Sequence, residues 1–376
     1  MSLKVSRYDT ILNYEYDHFD EKEAKVVLRE SQNPNEFIEI QYILPVDNSF
    51  NGKTFDIFYL AKSYLRESDI FQVFDKKESK RIGWCIPITA LASKDHDFIN
   101  NEHFLRYAYI ALKEVFRNFP NDVFTNLIDV SHSDSISISD IFHESTALLI
   151  ISRENLSESC ILDLPKALPS LFRFGYVKLS MANPDFLTLN RESPVDKKLW
   201  IDFMSDQVDN SELIPPLLEN VAFCSEASAV LKFFYLYQII ELLLECIFKN
   251  EQKVVVRELL SCEDDCSKIK EVLEKVQATN SEKRRISLLM SRYSSLATSD
   301  LDLLKSSCNQ LLAEIDRKEG VEFCSYFYPV RNFIFHQFWN FPPQKVFLLE
   351  IVIDNLLDVL PIVLSSFRLP PISDNP

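Results

Sequence analysis

Between Tyr326 and Trp339 the chain reads Tyr-Phe-Tyr-Pro-Val-Arg-Asn-Phe-Ile-Phe-His-Gln-Phe-Trp, an apolar run broken by Arg331, Asn332 and His336. A histidine carries a proton near neutral pH, and an arginine presents a fixed positive charge in a planar, two-point geometry. Together they suit a reaction in which one group moves a proton while the other stabilises charge on a phosphate. Setting both among aromatics is costly unless they are paired or used. On a helix, Tyr328, Asn332 and His336 recur at i, i+4 and share a face, and the long stem of Arg331 brings its guanidinium round from the adjacent face. Pro329 fits the first turn of such a helix, which would put Arg331 near its positive end and His336 about a turn further in. The structural alternative is a buried helix whose Arg and His satisfy neighbouring carbonyls or a carboxylate.

A second stretch, Lys232 to Glu245, reads Lys-Phe-Phe-Tyr-Leu-Tyr-Gln-Ile-Ile-Glu-Leu-Leu-Leu-Glu. It is apolar almost all round, as a helix at the centre of a bundle is. Glu241 stands in the middle of it.

The Arg-Asn-x3-His spacing resembles the Arg-x4-6-His signature of the HEPN superfamily, and the Tyr-Gln-Ile-Ile-Glu phrase on a long first helix is similar to HEPN domains of phage-defence and abortive-infection proteins. The resemblance covers roughly residues 211 to 370. It implies an all-helical bundle acting as a metal-independent endoribonuclease, with no cofactor. Arg331 and His336 would be the catalytic pair and Asn332 would orient the imidazole or the phosphate. Gln238 or Glu241 would face that pair, with Tyr328 on the same face as His336. The implied products are a 2′,3′-cyclic phosphate and a 5′-hydroxyl, because the RNA 2′-OH supplies the nucleophile. The resemblance further implies a homodimer with two Arg/His pairs in one cleft. It also implies a toxin-like role in anti-phage defence, with tRNA or mRNA as the target. The other reading is a non-catalytic HEPN bundle used for dimerisation or partner binding.

Composition narrows the alternatives. Four glycines, Gly52, Gly83, Gly175 and Gly320, are too few and too scattered for a Gly-rich phosphate loop or a dinucleotide fingerprint. The net charge of −16 opposes loose binding of nucleic acid, so contact with RNA needs a local basic patch. Lys283, Arg284, Arg285 and Arg292 form the densest such cluster in the C-terminal half, although a solvated helix face reads equally well. Eight cysteines show neither a disulfide framework nor a zinc spacing, Cys262 and Cys266 being the one close pair. With no signal peptide and no apolar run of about 20 residues, the chain reads as a cytoplasmic protein without a membrane span.

The pattern along the chain predicts an α+β protein. Residues 1–200 read as a mixed α/β domain with a mainly antiparallel sheet, followed by the helical bundle at 211–370. The first thirty residues are weakly patterned. Strand alternation runs through Glu36 to Leu44, Thr54 to Leu60, Ile70 to Phe74, Ile82 to Ile88, Ala147 to Ser152 and Phe174 to Leu179. An apolar stripe at helical spacing covers Asn101 to Phe119. The Ser/Asp-rich stretch from Ser131 to Asp140 reads as a surface loop, and Lys197 to Val208 as a short linking helix. His96, His103 and His143 lie near acidic residues but at no metal-ligand spacing, so they read as surface histidines. This half shows no nucleophile and base together. A sensing role, responding to a phage-derived or cellular trigger, is its default expectation. Helices are expected from about Ser225 to Lys249, Ser299 to Ile315 and Gln344 to Phe367.

Overall fold

The computed structural model describes residues 3–7, 10–117, 119–120, 122–129, 135–156, 163–224, 229–262 and 265–371. The chain divides into two compact units: residues 1–164 with 174–201, and residues 165–173 with 202–376. The first is built on curled mixed sheets and the second is helical, an α+β architecture.

In the first unit, strands β1 (Leu3–Arg7), β2 (Thr10–Asp20), β3 (Lys25–Glu30) and β4 (Phe37–Gln41) form an antiparallel meander. The weakly patterned N-terminal stretch is therefore strand. Its alternation is hidden because β2 lies largely open to solvent, burying only Tyr14 fully, and slips register between Tyr16 and His18. A second sheet contains β5 (Phe55–Ala61), β6 (Phe71–Asp75) and β7 (Lys80–Pro87). Helices α1 (Ile88–Leu91) and α2 (Glu102–Val115) follow, then β8 (Ile128–Asp129), β9 (Ser135–Ile136), α3 (Ile138–Ile141) and β10 (Thr146–Ser152). Strand β10 is buried at every residue and lies between β5 and β7, which explains its unbroken apolar run. Strand β8 extends the first sheet by pairing parallel to β1, and β9 does so by pairing parallel to β4.

Three expectations change here. Residues 135–141 of the Ser/Asp-rich stretch form β9 and α3, the latter opened by a Ser137/Asp140 capping box; residues 131–134 lie outside the described residues. Within Phe174 to Leu179, strand β11 spans only Val177–Lys178, on the edge of β5. Lys198–Ile201, expected to be helical, is strand β12, parallel to β6. Its alternate residues Leu199 and Ile201 are buried, a period too short to stand out among the polar neighbours.

The histidines also differ from expectation. His96 is buried, its Nε2 at 3.1 Å from the Ala90 carbonyl oxygen. His143 pairs with Asp185 at 3.0 Å. His103 lies against Tyr107, with Arg81 Nη2 and Trp84 Nε1 at 2.6 and 3.1 Å from its two ring nitrogens. Burial, then the charges of Arg81 and Arg106, push its pKa down to about 4. Groups of three or more metal-ligating side chains are absent among the described residues.

The second unit contains α4 (Leu164–Arg173, from Pro165 on), α5 (Ile214–Phe223), α6 (Ala229–Ser261) and α7 (Cys266–Asn280). Then come α8 (Glu282–Leu288), which runs into a π-turn at Leu289–Tyr293, α9 (Thr298–Glu314), α10 (Phe323–Gln337) and α11 (Val346–Ser366). Residues 225–228, expected to open the long helix, lie outside the described residues. Helix α6 buries apolar residues around most of its girth because α5, α7, α8 and α11 pack on different sides of it. Helix α9 joins α11 to α10, and α8 supports α10 from another side. No described helix is long and apolar enough to cross a membrane.

The approach to α10 is fixed by Gly320. Its N–H donates to Asn309 Oδ1 at 2.9 Å, and its carbonyl accepts from Asn309 Nδ2 at 3.0 Å. A Cβ added at Gly320 would sit 2.4 Å from the Ser325 carbonyl carbon. That carbonyl is the one whose helical partner would be residue 329, a proline without an N–H. Gly320→Ala should therefore cost about 1–3 kcal/mol through overpacking, measured by urea denaturation.

His103 supplies a pH test. The unfolded imidazole protonates near its ordinary 6.5 and the folded one only near 4. Stability from the neutral ring is therefore complete above pH 6.5 and falls as the pH drops through that window. Replacing His103 by Gln should flatten this acid limb of the stability curve by on the order of 1–2 kcal/mol, solvent screening included.

Candidate active site

Helix α10 begins at Phe323, so Pro329 lies in its second turn rather than its first. Arg331 is consequently in mid-helix and His336 is in the last turn, at the negative end of the helix dipole. The expected help from a helix N-terminus is absent, and anion binding at this place must come from side chains.

The Arg331 guanidinium is the centre of the cluster. Its Cζ lies 4.6 Å from the centroid of the Phe335 ring and 5.0 Å from that of Tyr237. Nη2 faces two carboxylates, Glu282 Oε1 at 3.2 Å and Glu241 Oε1 at 3.7 Å. Nη1 donates to Asn332 Oδ1 at 3.1 Å and reaches His336 Nε2 at 3.5 Å. Nε is buried without a hydrogen-bond acceptor. Only 13% of the Arg331 side chain is exposed, whereas His336 is exposed. A guanidinium has no lone pair to offer, so Nε2 accepts from it only in the tautomer that carries its proton on Nδ1.

The surrounding groups hold this arrangement. Gln238 Nε2 donates to Glu241 Oε2 at 2.6 Å, fixing that carboxylate on α6. The buried Tyr237 hydroxyl donates to Glu282 Oε1. Burial, then the adjacent Glu282 carboxylate, push the Tyr237 phenol well above its ordinary range, so it remains a donor. Phe335 packs on Phe234 at 5.7 Å and on Tyr237 at 5.4 Å. Tyr328 is half-buried, and no contact joins it to the cluster among the described residues.

The structure thus brings together Arg331, Asn332, His336, Glu241 and Gln238. It adds Glu282 and Tyr237, which the sequence reading did not single out. Tyr237 stands one helical turn before Glu241, so i, i+4 spacing could have found it. Glu282, at the start of a short helix and beside a basic run, offered no such signal.

The four basic residues do not act together. Arg292 pairs with Glu251 at 2.8 Å, and Arg285 lies over the Phe248 ring at 5.1 Å. Lys283 and Arg284 are exposed, and their side chains make no ion pair among the described residues. They follow Glu282, a partner of Arg331, directly in the chain. The aromatic surface is likewise mostly used internally. Phe333 packs on Phe341 at 5.7 Å and Phe338 on the same ring at 5.8 Å, leaving Trp339 78% exposed.

Compared with known protein families, curated proteins and solved structures, the chain finds no match.

Glu282 is itself only 21% exposed, so losing one partner leaves a poorly solvated charge. Glu282→Gln should cost about 1–3 kcal/mol, and Arg331→Met a similar amount. The double variant should cost less than the sum of the two. Urea denaturation of all four proteins reads that coupling directly, and strict additivity would mean the contact carries no energy.

Proposed function

We propose that the helical unit is a metal-independent endoribonuclease of HEPN type, working as a homodimeric, toxin-like effector in anti-phage defence. The observation that carries this reading is the shared hydrogen-bonding of a fixed, stacked Arg331 and an exposed His336 on one helix. In this reading a phosphate binds at the Nη1 edge of Arg331 by displacing the Asn332 or His336 contact, because Glu282 and Glu241 occupy the Nη2 edge. That edge is the one next to His336 and Asn332.

In the proposed reaction, neutral His336 takes the proton of the RNA 2′-OH at Nε2. The 2′-oxygen then forms a bond to phosphorus, and the bond from phosphorus to the 5′-oxygen breaks. The leaving oxygen takes the proton that His336 accepted and becomes a 5′-hydroxyl, which returns the imidazole to its neutral form, and the other product is a 2′,3′-cyclic phosphate. Arg331 stabilises the added charge on the pentavalent phosphorus, a role for a charge-assisted, two-point donor. Asn332 orients the guanidinium. Lys283 and Arg284 are the cations left to guide RNA, tRNA or mRNA, towards the site. The sheet-based unit would receive the phage-derived or cellular trigger.

The second reading, a non-catalytic bundle for dimerisation or partner binding, is favoured by the two carboxylates on Arg331. They satisfy its charge without any substrate. The two readings diverge at His336, whose exposed ring contributes little to packing. His336→Ala should change stability by no more than about 0.5 kcal/mol. It should lower RNA cleavage by about 10²–10⁴. Arg331→Lys, which keeps the charge and loses the fork, should also be strongly impaired, and Asn332→Ala less so. A chelator should leave the wild type unaffected. Sequencing RNA ends from cells expressing each variant reads these outcomes. A folded wild type that yields no new 5′-hydroxyl ends, or a His336→Ala protein that cuts as well, would end the ribonuclease reading.

A further inference from the structure

A second concave site, within the sheet-based unit, is not used by the proposed reaction. Residues of 62–69 and 190–197 line a cavity of about 510 Å³. This lies within the roughly 300–1,000 Å³ typical of small-molecule sites. Its lining includes the cations Lys62, Arg66, Arg191 and Lys197 and the carboxylates Asp69 and Glu192. A cavity with more positive than negative groups runs against the −16 charge of the whole chain.

Lys62 is the telling group. It is 2% exposed, and taking an ammonium out of water is expensive unless something compensates. Its Nζ donates to Ser193 Oγ at 2.6 Å and lies 5.1 Å from the Tyr176 ring centroid. An ammonium has three N–H bonds, and the other two have no acceptor among the described residues. The nearby Asp69 carboxylate accepts the Arg66 backbone N–H at 3.0 Å and forms no ion pair with Lys62. Burial pushes the Lys62 pKa down, with Asp69 pulling in the opposite direction. An anion in the cavity would supply what this ammonium lacks.

The mouth of the cavity is built differently. Arg66 is exposed, and its guanidinium makes no ion pair among the described residues. Tyr64 is 81% exposed and Val195 98% exposed, so both present apolar surface to water. Tyr64 has φ of 55°, a left-handed conformation that a side chain of this size rarely adopts. Strain of that kind gathers at ligand-holding positions.

We propose that this cavity binds a mononucleotide, with its phosphates on Lys62, Arg66 and Arg191 and its base against Tyr64 and Val195. The proposal does not depend on the ribonuclease reading, and its test measures binding alone. Calorimetric titration of the full chain with ATP, AMP, adenosine and inorganic phosphate is the direct experiment. ATP should bind once per chain and more tightly than AMP, and adenosine should be much the weakest nucleoside ligand. Arg66→Ala should weaken ATP by roughly tenfold, the loss of one charge-assisted hydrogen bond, without altering thermal stability. Tyr64→Ala should weaken ATP and leave phosphate unchanged. Lys62→Met should abolish binding, and if that buried substitution prevents folding, the two exposed variants still decide. His336→Ala should have no effect, because the other candidate site is not involved. Absence of ATP binding by folded protein at millimolar concentration would overturn the proposal. So would unchanged affinity in Arg66→Ala, or phosphate binding as tightly as ATP.

Discussion

The helical unit depends on one guanidinium that cannot be left unsatisfied. Arg331 is largely withdrawn from water and lies over the adjoining rings of Tyr237 and Phe335, where an unpaired charge would be costly. Its partners come from three helices: Glu241 and Tyr237 on α6, Glu282 on α8, and Asn332 and His336 on α10 itself. The Tyr237 hydroxyl closes the circuit by donating to Glu282. Packing brings these helices together, but packing alone leaves their relative rotation soft. The ion pairs and the stacked rings tie that rotation to the position of one cation.

This constraint also gives the guanidinium two unlike edges. The Nη2 edge faces carboxylates and is electrically satisfied. The Nη1 edge faces a neutral amide oxygen and an imidazole nitrogen, and the imidazole is exposed. An anion would meet repulsion from the carboxylates at the first edge, and at the second it would have to displace Asn332 or His336. Because α10 presents its negative end near His336, no helix dipole adds to the attraction. On the proposed reading, anion recognition falls to Arg331 together with Lys283 and Arg284, whose side chains make no ion pair among the described residues.

What was legible in the sequence was local and periodic. The change from strand to helical pattern near residue 200, the apolar girth of α6 and the i, i+4 relation of Asn332 to His336 follow from spacing alone. What was not legible depended on partners distant in the chain. Strand β2 is open to water on much of its surface and so lacks alternation, and β12 is too short to show its period against a polar flank. Pro329 suggested a helix start, yet α10 carries it in the second turn, with Gly320 packed close to the Ser325 carbonyl that has no N–H to meet at residue 329. Glu282 reaches Arg331 only because α8 packs on α10, a relation that no local pattern encodes. The partners of the basic run were hidden for the same reason: Glu251 and Phe248, both on α6, engage Arg292 and Arg285.

The balance between a structural and a catalytic account turns on what each leaves unused. Aromatic stacking and two carboxylates satisfy most of Arg331, its Nε excepted, and a bundle that only needed a stable core could hold it in this way. They do not explain His336. Its ring is exposed, adds little apolar burial, and sits in the last turn, where almost any residue would serve the helix equally well. Yet its Nε2 lies beside the one edge of the guanidinium that no carboxylate occupies. In the proposed reaction a phosphate taking that edge would release the Nε2 lone pair from Nη1 and leave it to accept a proton from a neighbouring hydroxyl. The asymmetry between a buried, over-determined arginine and an exposed, under-determined histidine is therefore the feature that a purely structural bundle leaves without a role.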